Sequence, residues 1–541
     1  MRRGVGPRFW LLIDKYIWHG ALKEFMFLVH FLKQCLFDSL TNHWFVKTTD
    51  LLNDLHKYNE KYDSYADMID DDWDKETNYD NPKNWPVYLK AFFCFEIGFL
   101  CLSVYIGLSI YTAGMKDLQQ EFGVGREVAL LPMVLFVLGY GVGPLFFAPI
   151  SEYYKIGRSP VYITTLFLFA VLQIPTAMSQ TITSICILRF FNGVFASPVL
   201  AMGAASVSDV IKTPYIPTVI GGWAVCSLCG PSLGPVLGAA INSRKGWRWC
   251  FWFLLIITGS SLLLFALFLP ETYPPTLKFK RARHLRELTG NSDIRTNEEL
   301  RHLAVDRGFV KEYLLRSVEI TVSEPVVLFI NIYSALIYSI LYLWYETFPM
   351  VFEDMYGFTP LLEGVSATSM LVGVILGSVV YTIFIYFKFT KRYTKSEMVY
   401  PEVFLPMAVM GGFLLPAGIF IFAWSATPKA HWCGPLIGAC IAGFANFIIF
   451  ETLINYLGMS FPDYYASVIA SNGLWRSVAA SVAPLYAQPL YTNLATNNFP
   501  VGWGSSVLGF IATAMILIPL VFYWNGPKVR SVSKFTDFEM T

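Results

Sequence analysis

The sequence predicts an all-α membrane protein, with twelve transmembrane helices arranged as two pseudo-symmetric six-helix bundles. Three observations carry this expectation. Hydrophobic residues make up 55% of the 541-residue chain and charged residues only 15%, against roughly 25% charged in soluble domains. The apolar residues come in long blocks, many reaching the ~20 residues that cross a bilayer core. Those blocks fall into two sets of six on either side of a Lys- and Arg-rich segment, 270–323, an arrangement that suggests repeated bundles facing each other across a cavity.

The elements follow in order. Residues 1–88 read as a cytosolic tail. Its start, Met1–Ser39, reads as an amphipathic segment at the membrane surface, because Asp14 and Lys15 interrupt the apolar run Phe9–Ile13 that could otherwise suggest a signal peptide. The acidic stretch Asp63–Asp80 reads as disordered. Trp85 and Lys90 suit the membrane interface at the entry to span one. The first bundle, 89–269, is expected to hold spans Leu89–Ala113, Glu127–Pro149, Pro160–Met178, Ile182–Val207, Ile216–Ile241 and Arg248–Leu269. The central loop, 270–323, follows. The second bundle, 324–524, is expected to hold Pro325–Met350, Leu361–Phe387, Pro401–Trp424, His431–Met459, Ser467–Leu490 and Val501–Trp524, before a tail at 525–541.

Orientation comes from the distribution of Lys and Arg. One side receives Lys155, Arg158, Lys212, the run Lys278–Arg286, Lys388, Lys391, Arg392, Lys395, Lys528, Arg530 and Lys534. The other receives Lys116, Arg126, Arg244, Lys245, Arg248 and Lys429. This predicts cytosolic termini and a cytosolic central loop, with the basic helix Lys278–Leu288 against the inner leaflet. The plasma membrane is the expected location.

Several classes are disfavoured. The sequence has no G-x-x-x-x-G-K-[ST], so this chain does not itself bind ATP through a P-loop. Its seven histidines lie outside the spans or, for His431, at an edge, which argues against a haem, quinone or di-metal membrane enzyme. Cys226 and Cys229 sit in a span beside glycines and read as buried thiols rather than a metal or redox pair.

The chemistry-bearing residues lie within or next to the spans. In span five Gly222, Cys226, Gly230, Gly234 and Gly238 recur every four residues and form one small-residue face. Pro231 and Pro235 each remove a backbone donor. The face reads either as tight packing or as a hinge that seals a cavity. Arg189 lies inside span four, where a guanidinium costs about 2.5–3.5 kcal/mol on insertion scales. It must face a partner or a cavity and reads as a proton-coupling or substrate-binding residue, with a structural arginine satisfied by carbonyls as the competing reading. After Gly139-Tyr-Gly-Val-Gly143-Pro, Glu152 with Gly157 and Arg158, and Asp209 at the end of span four, suit a latch that rearranges as the halves rock. Glu96, Glu451 and Glu346 are the intramembrane acids available to carry a proton, and Arg476 lies at a depth that suits pairing with Glu451. Tyr338, Tyr342 and Tyr345 share one face of span seven and suit flat apolar ligands. Trp223, Asn331 and Asn446 suit a cavity lining. For all six, ordinary helix packing is the competing reading.

At these residues the chain resembles the major facilitator superfamily, and more narrowly the fungal twelve-span drug:proton antiporters of the benomyl/methotrexate-resistance type. The resemblance runs from about Asn81 to Lys528. It rests on Asn81-Pro-Lys-Asn-Trp-Pro86, Gly139-Tyr-Gly-Val-Gly-Pro144, Gly504-Ser-Ser-Val-Leu-Gly-Phe510 and Asn525-Gly-Pro-Lys528. It places the family's loop motif on Glu152, Gly157 and Arg158, its span-four arginine on Arg189, and its antiporter motif on Gly230, Pro231, Gly234 and Pro235. The loop departs from the family pattern at Tyr153 and Ser159 and is lengthened by Lys155-Ile156. The resemblance implies a non-enzymatic exporter of apolar or weakly cationic drugs and fungicides. It would be driven by the proton gradient without a cofactor or metal, and would act as a monomer in the bilayer with no nucleic-acid partner. A nutrient or polyamine transporter, or a non-transporting receptor, is the alternative.

Overall fold

The computed structural model describes residues 65–76, 78–304, 319–461 and 465–530. The described residues are helical throughout, apart from turns and one isolated bridge between Thr496 and Phe499. In the first half, span one is Val87–Ser109, span two Arg126–Val142 continued by Pro144–Ser151, and span three Arg158–Ala177. Span four is Ile182–Ala196 continued by Pro198–Val210, span five Ile216–Lys245 and span six Arg248–Phe268. In the second half, spans seven to eleven are Pro325–Phe348, Pro360–Ile385, Leu405–Ser425, Cys433–Ser460 and Tyr465–Asn493. Span twelve is Gly502–Met515 continued by Leu517–Arg530. The interruptions in spans two and four fall where Pro144 and Pro198 begin a new helical segment, since a proline lacks the amide donor needed inside a helix and is favoured at its start.

Among the described residues eleven helices are long and apolar enough to cross a membrane. Span eleven is not among them, because it carries Ser471, Asn472, Arg476, Ser477 and Ser481, all buried. It is sandwiched between span seven and span two, so these groups face protein rather than lipid.

The helix pairings repeat. Spans one and five pack together, as do two and four, and three and six. Six spans on, seven packs with eleven, eight with ten, and nine with twelve. The halves meet through spans two and eleven and spans five and eight. An even number of crossings brings both described ends to one face, here the central-segment face.

One expectation is corrected on that face. The acidic stretch is ordered from Tyr65, with a helix at Tyr65–Trp73. The basic helix Pro274–Thr289 holds that strip. Lys278 pairs with Asp70 at 2.7 Å, and Arg281 pairs with Asp72 and, at 3.5 Å, with Asp80. Beneath these bonds Met68 and Ile69 pack on Ala282, Leu285 and Ile294. Asn81 ties the strip to the entry of span one, donating to the Trp73 carbonyl at 3.1 Å and accepting from the Lys83 amide at 3.0 Å. A charge run read alone lacks the partner that orders it. The expected surface segment Met1–Ser39 and the tail beyond 530 lie outside the described residues.

Candidate functional site

The candidate residues fall into layers between the two faces. At the central-segment face Gly157 adopts φ +80°, ψ −173°, a backbone region essentially restricted to glycine. That turn aims the first amides of span three at Glu271, which accepts from Arg158 N at 3.1 Å and Ser159 N at 3.2 Å. The same carboxylate accepts from Thr272 N and Tyr273 N, both at 3.0 Å. A carboxylate on helix N-terminal amides is favourable electrostatically as well as by hydrogen bonding. The Arg158 side chain reaches Asp209, with Nε to Oδ2 at 2.6 Å. Glu152 lies within electrostatic reach of Arg158; burial raises its carboxyl above the usual carboxylate range while Arg158 opposes the shift. The structure thus brings Glu152, Gly157, Arg158 and Asp209 together. It adds Glu271, whose bonds to span three the sequence does not reveal because Arg158 and Ser159 lie more than a hundred residues away. From the second half Tyr465 lies within electrostatic reach of Arg158, and Thr390 donates to the Pro214 carbonyl at 2.9 Å.

Gly143 packs inside the first half, with its missing Cβ position 2.6 Å from the Val194 carbonyl. The small face of span five is a seam on span one. A Cβ at Gly230 would meet Tyr105 at 2.4 Å, and at Gly238 the Ile110 carbonyl at 1.9 Å. Cys226 continues the seam beside Gly98, but Gly222 faces open space, so the stripe is shorter than its spacing suggests. Pro235 cannot donate to the Pro231 carbonyl one turn back; Ser109 of span one donates to it instead, at 2.7 Å.

Arg189 is fully buried inside the first half. It donates to the Gly107 carbonyl at 2.8 Å, and its guanidinium lies 4.2 Å from the centre of the Phe136 ring and 5.3 Å from that of Tyr111. Glu96 is also buried, two residues before Gly98 on span one. Across the interface Glu451 of span ten lies beside Gly221 of span five, 3.9 Å from its Cβ position. Glu451 is 0% exposed. Its Oε2 accepts from Asn455 at 3.2 Å, and Asn455 also donates to the Tyr381 hydroxyl; among the described residues Oε1 has no hydrogen-bond partner.

The central layer comes from both halves. Arg476 does not pair with Glu451. It donates to the Tyr338 hydroxyl at 3.1 Å and lies over the rings of Tyr338 and Phe450 at 4.4 and 4.7 Å. Depth along a helix was readable from the sequence, but the direction each side chain takes was not. Tyr342 and Tyr345 stand edge to face at 5.7 Å, and Tyr345 reaches toward Ser232 of span five. Opposite them are Tyr105 and Tyr140, edge to face at 5.4 Å. Sequence reading missed both, since a tyrosine in an apolar span looks like packing. Trp223 leans on span four, against Gly203. Asn446 is buried one turn before Phe450, with no partner on its amide oxygen. Asn331 is not brought to this layer. Its amide donates to Ser471 at 3.0 Å and accepts from Asn472 at 2.9 Å, clasping spans seven and eleven. At the far face Glu346 pairs with Arg126 of the first half at 2.7 Å, and Glu353 with Lys116.

Comparison with known proteins fits this arrangement. The Major Facilitator Superfamily model matches residues 97–484. The chain is 45% identical over 470 residues to the cycloheximide resistance protein of Candida maltosa, covering 86% of this chain and 85% of that one. It is 37% identical over 467 residues to fluconazole resistance protein 1 of Saccharomyces cerevisiae, with 86% and 85% covered. Among solved structures, the human organic anion transporter MFSD10 (TETRAN) shares the fold at TM-score 0.52 and 17% identity, over 81% of this chain and all of that one.

Proposed function

The chain belongs to the major facilitator superfamily, and from that premise we propose that it exports drugs and other small apolar compounds by proton-coupled alternating access. The names of its relatives, which speak of resistance to cycloheximide and fluconazole, support drugs as cargo. The two halves, 89–269 and 324–524, are the bodies that rock. The central-segment face is the cytosolic side, the membrane is the plasma membrane, and the proton gradient is the only energy source.

The observation that carries the reading is Glu451, a fully buried carboxyl at the seam between the halves with one oxygen unpartnered. Buried carboxyls without a cation favour the neutral form, and access to water lets them release the proton. Glu96 in the opposite half is the second candidate for this role. Glu346 acts instead in closing the far face with Arg126. Substrate meets Tyr338, Tyr342 and Tyr345, with Asn446 and Trp223 at the margins. Arg189 sets the packing of spans one, two and four. The latch at Arg158 and Asp209 and the far-face ion pairs at Glu346 and Glu353 are both made here, as suits a closed intermediate between two open states.

The test is uptake of cycloheximide or a fluorescent drug by inside-out vesicles with an imposed pH gradient. Export should collapse with a protonophore, ignore ATP and be lost in Glu451→Gln. Uptake that survives the protonophore, or a Glu451→Gln variant with wild-type rate and pH dependence, would refute the coupling assigned here.

A further inference from the structure

Arg476 is 2% exposed, and among the described residues no carboxylate lies within ion-pair distance of it. Glu451, the acid at hand, turns to Asn455. Among the described residues the guanidinium makes a single hydrogen bond, to Tyr338, and its Nε has none. A buried charge left this way is costly, and an acceptor that reaches it recovers the unmet hydrogen bonding.

Arg189 makes the contrast. It too is caged by aromatic rings and, among the described residues, has unpartnered nitrogens, Nε and Nη1, but it is sealed inside one half. Arg476 stands at the seam. It and Tyr338 lie within electrostatic reach of Tyr105 in the other half, and its neighbour Ser477 packs against Gly141 of span two, 2.4 Å from the Cβ position there. Separation of the halves exposes Arg476 and leaves Arg189 covered.

We propose that Arg476 and Tyr338 form an acceptor subsite that takes a carbonyl or carboxylate oxygen of an otherwise apolar substrate. The same subsite disfavours permanent cations. The guanidinium lies over the rings of Tyr338 and Phe450, and its Nε remains for the ligand. The flanking tyrosines stack the apolar remainder. The proposal rests on the export reading above and adds the class of substrate.

The test uses the full-length protein in lipid nanodiscs, with ligand binding followed by tryptophan fluorescence. One probe is cycloheximide, neutral and rich in carbonyls. The other is tetraphenylphosphonium, a cation with no acceptor. Arg476→Gln should weaken cycloheximide binding about tenfold or more, the loss of a charge-assisted hydrogen bond, and leave the cation bound as well as before or better. Arg476→Lys should fall between, since it keeps the charge without the fork, and it decides the matter if the Gln variant does not fold. Unchanged cycloheximide affinity, or equal loss of both probes in both variants, would overturn the subsite. Vesicle transport separates the two readings. Charge-dependent binding without gradient-driven transport leaves the subsite and removes export, while transport with intact cycloheximide affinity in Arg476→Gln does the reverse.

Discussion

Gly157→Ala tests the turn that opens span three. Two costs arise at this position. The backbone conformation, φ +80° and ψ −173°, costs a side-chain-bearing residue about 1–3 kcal/mol. The added Cβ would also sit 2.4 Å from Glu271 Oε2 and 2.6 Å from its Cδ. To relieve that contact Glu271 must leave the amides of Arg158 and Ser159, and each charge-assisted bond contributes about 1.5–3 kcal/mol. The two costs can be separated. In a Glu271→Ala background the carboxylate is gone, so Gly157→Ala there retains only its backbone cost. With both bonds lost, the expected coupling in the double-mutant cycle is about 3–6 kcal/mol. The assay is denaturant unfolding of the detergent-solubilised protein, followed by intrinsic fluorescence, for wild type, both single variants and the double. Strictly additive effects, or a Gly157→Ala protein as stable as wild type, would refute the reasoning.

Three further expectations concern other layers. Gly234→Ala, whose Cβ would lie 2.0 Å from Ser109 Oγ, should lower stability by about 1–3 kcal/mol and slow transport, while Gly222→Ala, with nothing within 4 Å, should unfold like wild type; equal effects would show that the seam ends elsewhere. Burial holds the folded Glu152 carboxyl above the usual range, so this group favours the folded state at low pH and progressively loses that contribution as pH rises through the interval up to its raised value. The melting temperature of Glu152→Gln should therefore gain on wild type as pH rises through that interval, and a constant difference would exclude the effect. The strip Tyr65–Trp73 should exchange its amide hydrogens faster in Asp70→Asn/Asp72→Asn, and faster in wild type at 1 M salt, where the Debye length falls to about 3 Å; no change in either would mean the ion pairs with Lys278 and Arg281 do not hold it.

The positions of the spans were readable because crossing a bilayer demands a length of apolar chain that little else requires. Their ends could be placed within a few residues, and span eleven was found despite Arg476 and its serines. What depends on a distant partner was hidden. The order of Tyr65–Trp73 depends on partners some two hundred residues downstream, Lys278 and Arg281 among them. Side-chain direction was hidden too. Glu451 and Arg476 share a depth and turn to different neighbours, and Asn331 spends both amide groups on span eleven instead of lining a cavity. Tyr105 and Tyr140 carried no signal, since their significance lies in what the opposite half places before them.

The bond from Ser109 to the Pro231 carbonyl has a mechanical consequence. Two prolines in one helix would ordinarily make span five the compliant member of its half. Here the carbonyl that Pro235 cannot serve is tied to the neighbouring helix, and Gly230, Gly234 and Gly238 press against that same neighbour. Spans one and five therefore behave as a laminated strut, stiffer together than either alone. Strain has to be relieved where the halves touch, at Gly141 against Ser477 and Gly364 against the Pro235 carbonyl. A spectroscopic ruler laid along the strut would read one length throughout the cycle, and one laid across those joints would read more than one.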